Sequence, residues 1–472
     1  MTRVGATFAL SAETTETAAT QPAGATAADG SYSQLADYLV NGFWTAYSEQ
    51  PRSWPDPLNI TYNVRDIPTA DRDMVDLAVA LWSDVGNLNF VRTPGPADIT
   101  FVNDYGGAFS SSDVSGTDLT SSLVNVSPGW DGGPTTDLYS YRFQTFVHEI
   151  GHAIGLGHQG PYNGTASYPA DAVFDNDSWQ LSVMSYFTQT ENTSVTGSFA
   201  YVLTPQEADI LAIQDIYGAP AATRPGDTVY GVGNTTGRAV FGGNFDSFRF
   251  PSLTIYDDGG NDTLNYSRTA QHQDIDLTPG AMSSVYGDVN NVIIHTDTVI
   301  ENAIGGRGGD KITGNGEVNI LSGRGGRDVL LGRDGNDKLN GGGHNDRLFG
   351  EAGNDTLLGR GQLDRMFGGP GEDSFVFVRL RDSGVGRHRD RVHDFDSTDD
   401  LIDLSRIDAK TGGGNQKFDW IGRNPFHDVK GELRYKDKGD TVIVQADTDG
   451  DGRPDFEIFV GTGKLSEDDF VL

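Results

Sequence analysis

Three of the nine histidines in this 472-residue chain fall within one run, HEIGHAIGLGH, from His148 to His158. His148 and His152 are four apart, so on a helix they share a face and can direct two imidazoles at one ion. Glu149 sits one residue on, turned away from direct ligation and toward a water on that ion. The third histidine is not at a helical spacing from His152. Gly155 accounts for it: a glycine adopts φ > 0 at no steric cost, ends the helix and lets the chain swing His158 back to the same centre. Three neutral imidazoles suit one catalytic zinc and leave a position for water, whose pKa zinc lowers to about 7. Glu149 is then the base that takes the proton and returns it to a leaving amine. His-Glu-x-x-His alone arises on ordinary helices, but the placed glycine and third histidine have no structural use on one. Phe146, Val147, Ile150 and Ile154 read as core.

The elements that must hold this run are helices and strands mixed without regular βαβ alternation, an α+β pattern assigned to residues 31–225. Leu35 to Trp44 reads as a short helix ending at Gly42. Asn59 to Val64 and Ala97 to Val102 alternate as strands. Thr69 reads as the N-cap of a helix with Met74, Leu77, Ala78, Leu81 and Val85 on one face. TPQEADILAIQDIYG opens with a capping box from Thr204 to Glu207, has Pro205 at its first helical position, and ends at Gly218. Residues 1–30, rich in Ala and Thr and with a short, broken apolar patch, read as a flexible leader or pro-segment and not as a secretory signal.

A second set of chemically competent residues repeats. From Gly305 to Val376 a nine-residue period runs through eight copies, among them GRGGRDVLL, GRDGNDKLN and GEAGNDTLL. G-G-x-G-x-D-x-U-x is the pattern of a calcium-binding parallel β-roll, assigned to residues 226–378. Glycines turn, and one apolar residue per copy points inward: Ile312, Leu321, Leu330, Leu339, Leu348, Leu357, Met366 and Phe375. Two turns make one coil, so acids 18 apart should pair: Asp310 with Asp328, Asp328 with Asp346, Asp337 with Asp355, Asp346 with Asp364, Asp355 with Asp373. Asn319 interrupts the series and should weaken the site shared with Asp337. Asp258 and Asp262, in YDDGGNDTLN, are candidate ligands of a detached turn. Carboxylates and carbonyls of this kind bind several structural calcium ions, and extracellular-type sites do so at roughly 10⁻⁴ to 10⁻³ M. DTDGDGRPDFEI resembles an EF-hand loop through Asp447, Asp449, Asp451 and Gly452, but its twelfth position is Ile458, so it reads as an acidic hairpin loop. His388 and His393, in RHRDRVHD, read as solvated surface.

The acids explain the composition. With 67 Asp and Glu against 34 Lys and Arg, the net charge is −33, which excludes nucleic acid and an anionic membrane face as partners. The absence of cysteine excludes thiol catalysis and thiolate metal sites. No apolar run is long enough to span a membrane. The chain is expected to be a monomer.

SVMSYF, from Ser182 to Phe187, gives a family resemblance. The extended zinc run followed by Ser-x-Met-Ser-Tyr resembles metzincin proteases, and within them the RTX-bearing serralysin family. LADYLVNGFW, LWSDVGNLNF, ADITF, GDTVYG and TVIENAIGG are similar to family segments in the family order. The resemblance implies a zincin-type α+β catalytic domain followed by an all-β parallel β-roll, and a zymogen. It places Met184 beneath the zinc. It makes Tyr186 a stabiliser of the tetrahedral intermediate and a possible zinc ligand. It implies a secreted zinc endopeptidase acting on proteins or peptides. Residues 379–472 would form a β-rich cap whose ending, DDFVL, resembles the signal read by type I secretion machinery. Gln159 departs from the family's commoner proline. Two rivals stay open at this point: a calcium-dependent surface protein with a vestigial protease domain, and another zinc hydrolase such as an amidase.

Overall fold

The structure is a computed structural model that describes residues 28–242, 250–410, 412 and 414–472. Most of the segment read as a leader, up to position 27, lies outside the described residues. Helix α1 (Tyr32–Asp37) opens with a reciprocal cap between Ser31 and Gln34. Gly42 does not end this helix as its type suggests. One wider turn, Tyr38–Gly42, leads directly into α2 (Phe43–Ala46). The glycine serves packing, since a Cβ there would lie 2.3 Å from the Tyr38 ring.

Strands β1 (Ile60–Asn63), β2 (Phe90–Arg92), β3 (Ile99–Val102), β4 (Ala108–Ser115) and β5 (Asp118–Val126) form one sheet in the order β2-β1-β3-β5-β4. Its pairings are parallel except β4 against β5, and β4 stands at the edge. Helix α3 (Thr69–Val85) buries Met74, Ala78, Leu81 and Val85 as its period requires. Its N-cap is Pro68, one residue earlier than expected, with no side-chain bond. Two further helices follow, α4 (Tyr141–Ala153) and α5 (Glu207–Tyr217).

The cap of α5 is made by Gln206 and Asp209 and not by Thr204 and Glu207. Tertiary contacts claim the expected pair. Thr204 accepts the Thr254 N–H at 2.9 Å. Glu207, fully buried, accepts from His295 Nδ1 and the Thr296 hydroxyl, both at 2.8 Å. Both contacts join this half of the chain to the next.

From Val229 onward the described fold is β apart from single 3₁₀ turns. Short strands feed a nine-stranded and a ten-stranded sheet in alternation. Each repeat strand lies parallel to the one 18 residues later, with Leu321 opposite Leu339 and Leu330 opposite Leu348. All eight inward residues are fully buried. The winding outruns the repeat: Leu264, Ile275 and Ala303 before it, and Val392 and Ile402 after it, occupy the same register positions. A meander of Glu432–Asp437, Val442–Asp447 and Phe456–Val460 then extends the ten-stranded sheet.

Candidate metal centres

Helix α4 is anchored before it delivers any ligand. Ser140 Oγ accepts the Phe143 N–H at 3.3 Å. Arg142 makes a fully buried, two-pronged ion pair with Asp71 of α3, both bonds 2.7 Å. Such a pair is tolerable only with its donors satisfied, and Arg142 Nη1 donates to the Ser127 and Trp130 carbonyls. The helix ends where the sequence predicts. Gly155 has φ 110°, and the bonds Leu156 N–H to Gly151 O and Gly155 N–H to His152 O form a Schellman cap. A Cβ on Gly155 would also stand 2.3 Å from the Arg52 carbonyl oxygen.

This turn returns His158 to the helix. Its Nε2 lies 3.0 Å from His152 Nε2 and 3.3 Å from His148 Nε2. His148 Nδ1 donates to the Val183 carbonyl and His152 Nδ1 to the Leu156 carbonyl, each at 2.8 Å. Those bonds leave the facing Nε2 atoms as lone pairs. Lone pairs brought this close repel unless a cation lies among them. Zn–N bonds of about 2.0–2.1 Å at tetrahedral angles set nitrogens roughly 3.3 Å apart, so the set fits zinc. Desolvation, reinforced by mutual proximity, keeps the imidazoles neutral: His148 is pushed down to about 4, His152 to about 3, and His158 well below its ordinary value.

Glu149 is buried, and its Oε2 has no hydrogen-bond partner among the described residues. Burial pushes its carboxyl up to about 8 against the pull of the Ser110 amide. The histidines, Glu149, Tyr186 and the edge strand from Ala108 to Ser112 line one cleft of about 730 Å³. The Tyr186 ring centre is 4.5 Å from that of His158, and its oxygen accepts the Gly164 N–H at 3.2 Å. Its own proton remains free for another acceptor. Met184 is fully buried, with Sδ placed 2.6 Å from where a Gly151 Cβ would stand, so helix and turn touch closely. The turn is held by Asp209, which accepts from the Ser182 hydroxyl (2.6 Å), the Val183 N–H (2.7 Å) and the Gln206 N–H (2.8 Å). The sequence reading missed Asp209, as nothing in its spacing separates it from an ordinary first-turn acid. Gln159 is fully buried, and neither amide atom has a partner among the described residues.

The roll brings all five predicted acid pairs together. The N–H of Asp310 donates to Asp328 Oδ1 at 2.7 Å, Asp328 to Asp346 at 2.9 Å and Asp337 to Asp355 at 2.8 Å. Asp346 donates to Asp364 at 2.8 Å and Asp355 to Asp373 at 2.9 Å. The second oxygens of Asp328, Asp337, Asp346, Asp355, Asp364 and Asp373 are buried without partners among the described residues, whereas that of Asp310 accepts the Gly306 N–H at 2.6 Å. Desolvation raises Asp328 and Asp355 to about 6, Asp337, Asp364 and Asp373 to about 7, and Asp346 to about 9. Repeated, unpartnered carboxylate oxygens are the donor set of a hard divalent cation such as calcium. Asn319 differs: its amide nitrogen donates to the Glu301 carbonyl and Asn315 Oδ1, both at 2.9 Å, and its oxygen accepts the Asn315 N–H at 2.8 Å.

The ladder also continues past the repeat, through Asp390 and Asp400, which accept from Asp364 and Asp373 at separations of 26 and 27 residues. Asp262 joins it, with Oδ1 accepting the Thr228 N–H at 2.7 Å and Oδ2 unpartnered. Asp258 does not: it is exposed, and its neighbour Asp257 is the buried acid, accepting from the Tyr230 hydroxyl at 2.6 Å. Asp447, Asp449 and Asp455 cluster, but the Asp447 oxygens accept the Gly450 and Gly452 N–H groups, as a hairpin loop requires. His388 is exposed as expected, whereas His393 stacks on Phe367 with ring centres 4.5 Å apart.

No helix among the described residues is long and apolar enough to cross a membrane. Comparison with known proteins is consistent across the chain. Metallopeptidase AprA of Pseudomonas marginalis is 38% identical over 52% of this chain and 54% of its own length. Against it and metalloprotease AprA of Pseudomonas entomophila, at 53% of its length, the chain spans about half of the relative. Serralysin of Photorhabdus laumondii is 34% identical over 88% of this chain and 80% of its own. Residues 219–472 match the family model described as Peptidase M10 serralysin C terminal, and on these grounds the chain belongs to the serralysin family.

Proposed function

We propose that this chain is a secreted zinc endopeptidase that cleaves proteins or peptides, with calcium ions folding its roll. The observation that carries the reading is the convergence of three imidazole Nε2 atoms beside a carboxyl whose Oε2 has no partner among the described residues, in one cleft. His148, His152 and His158 would hold the zinc. When bound, zinc supplies Lewis acidity toward a carbonyl oxygen and acidifies a water toward a pKa of about 7. Glu149 takes the proton of the attacking water and delivers it to the departing amine nitrogen. The Tyr186 phenol, its oxygen held by Gly164, donates to the oxyanion as the carbonyl becomes tetrahedral. Strand β4, at the sheet edge beside these groups, offers backbone donors and acceptors to a substrate lying as an added strand.

In the roll, Asp262, Asp310, Asp328, Asp337, Asp346, Asp355, Asp364 and Asp373 would ligate calcium, as would Asp390. Export unfolded through type I machinery followed by calcium-driven winding outside the cell would keep the enzyme inactive at its source. The test is hydrolysis of an unfolded protein and of short acyl amides in millimolar calcium, with Glu149→Ala beside the wild type. Cleavage of the protein alone, lost in the variant by about 10² to 10⁴-fold, is expected. Equal negligible rates in both would leave a calcium-binding surface protein, and efficient cleavage of the amides would favour the amidase.

A further inference from the structure

The two faces of the roll share one period but not one surface. On the ten-stranded sheet, consecutive strands set Arg347 opposite Arg365 and Arg365 opposite Arg391 in register. Val329 and Lys311 continue the row. All three arginines are exposed. None is in an ion pair among the described residues, in a chain of net charge −33. Beside them runs a second row. Phe349 stacks on Phe367 at 4.8 Å and 12°, and Phe367 on His393 at 4.5 Å and 5°. Phe349 and Phe367 are half-buried, so part of each ring reaches the surface as an apolar rail beside the cationic one. The Arg347 guanidinium lies 5.3 Å from the Phe349 ring centre, so the two rails touch. On the nine-stranded sheet the matching row reads Asn302, Ile320, Lys338, Thr356, Ser374 and Leu401, with one cation in six rungs. Solubility alone would not put the arginines on one face.

We propose that the ten-stranded face of the roll binds a linear acidic polysaccharide, with its carboxylates received by Arg347, Arg365 and Arg391. A guanidinium takes a carboxylate through two parallel bonds, which favours such an anion over a neutral chain. Spacing selects among polyanions. Rungs of a sheet repeat about every 4.7–4.9 Å. An extended acidic peptide presents side chains to one side about every 6.8 Å, two residues on, and drifts out of step within three rungs. A nucleic acid strand in a duplex carries a phosphate every 3.4 Å or so, and the chain's overall charge opposes it. A linear acidic glycan supplies both rails with partners, carboxylates for the guanidiniums and the C–H faces of its pyranose rings for the ring edges.

The experiment is titration calorimetry of the full-length protein in calcium with a short oligogalacturonate. Maltooligosaccharide, polyglutamate, single-stranded DNA and phosphatidylglycerol vesicles serve as comparators. The variant R347Q/R365Q/R391Q is set against R324Q/K338Q/R360Q, which removes the same charge from strands of the nine-stranded sheet. The oligogalacturonate is expected to bind, to be weakened by salt, and to lose more than about tenfold in affinity in the first variant only. Calcium-dependent circular dichroism verifies folding. If the triple variant does not reach the wild-type spectrum, R365Q alone gives the same reading with a smaller loss. Absence of binding, equal loss in both variants, or preference for polyglutamate, DNA or vesicles would overturn the proposal.

Discussion

In the cleft the converging atoms are uncharged nitrogens, whereas in the roll they are carboxylate oxygens. The roll acids and His158 are buried, His148 and His152 half-buried, and both regions leave side-chain atoms without partners among the described residues. Neutral imidazoles cost little to bury, and carbonyls of Val183 and Leu156 hold two of them in place. The cleft can therefore be assembled by the ordinary core before any metal arrives. A row of buried carboxylates has no such option. Each pays desolvation and meets the next acid along, so in the proposed reading bound cations, or protonation, must offset that cost for the roll to fold. On the proposed function, the difference separates a metal that would perform chemistry on a finished scaffold from metals that would finish the scaffold.

The largest effect that distinguishes them is calcium withdrawal. A calcium-selective chelator is expected to abolish the β signal of the roll while helices α3, α4 and α5 persist, with recovery at roughly 10⁻⁴ to 10⁻³ M calcium. Retention of the roll without calcium would erase the contrast. The pH dependence has a definite sign. Burial raises the folded values of these acids to about 6 for Asp328, about 7 for Asp337 and about 9 for Asp346. Their contribution to the calcium-free roll is thus full below the unfolded value of about 3.9 and is lost as pH rises through the folded values. Without calcium the roll should be more ordered near pH 5 than near pH 8, as read by circular dichroism.

The next effect is local to the cleft. Gly155→Ala places a side chain at φ 110° and a Cβ 2.3 Å from the Arg52 carbonyl. It should destabilise the catalytic half by about 1–3 kcal/mol and lower retained zinc, measured by metal analysis after dialysis. The calcium midpoint of the roll should not move. A shift there would mean that the two halves fold as one unit through the buried Glu207–His295 pair.

These regions were legible in the sequence for different reasons. The zinc run was legible because its ligands lie within one helix and one turn, and local geometry converts their spacing directly into position. The roll was legible because a period fixes register, so an 18-residue spacing alone pairs Asp346 with Asp364. What escaped was neither local nor periodic. Arg142 meets Asp71 across 71 positions, and Asp209 meets Val183 across 26. Asp390 and Asp400 complete the ladder only after an insertion breaks the 18-residue spacing. Thr204 and Glu207 looked like a capping box because propensity cannot see that another sheet needs their side chains.

The smallest effect tests whether an unpartnered buried atom always marks a metal. Gln159 follows His158 in sequence, is fully buried, and has neither amide atom hydrogen-bonded among the described residues. In the roll the same signature recurs on six acids of the repeat, from Asp328 to Asp373; at Gln159 it occurs once, on a neutral amide. It is then a cost and not a site. Replacing a buried polar group that lacks partners by an apolar one of similar volume removes the desolvation penalty. Gln159→Leu should raise stability by about 1–2 kcal/mol in chemical denaturation, with zinc content and activity retained. Asp355→Leu, the same operation on a ladder acid, should do the opposite in calcium and lower the midpoint of unfolding. Destabilisation by both substitutions would give the Gln159 amide a partner of its own, an ordered water, and show that orphaned atoms near the cleft obey the same rule as those of the roll.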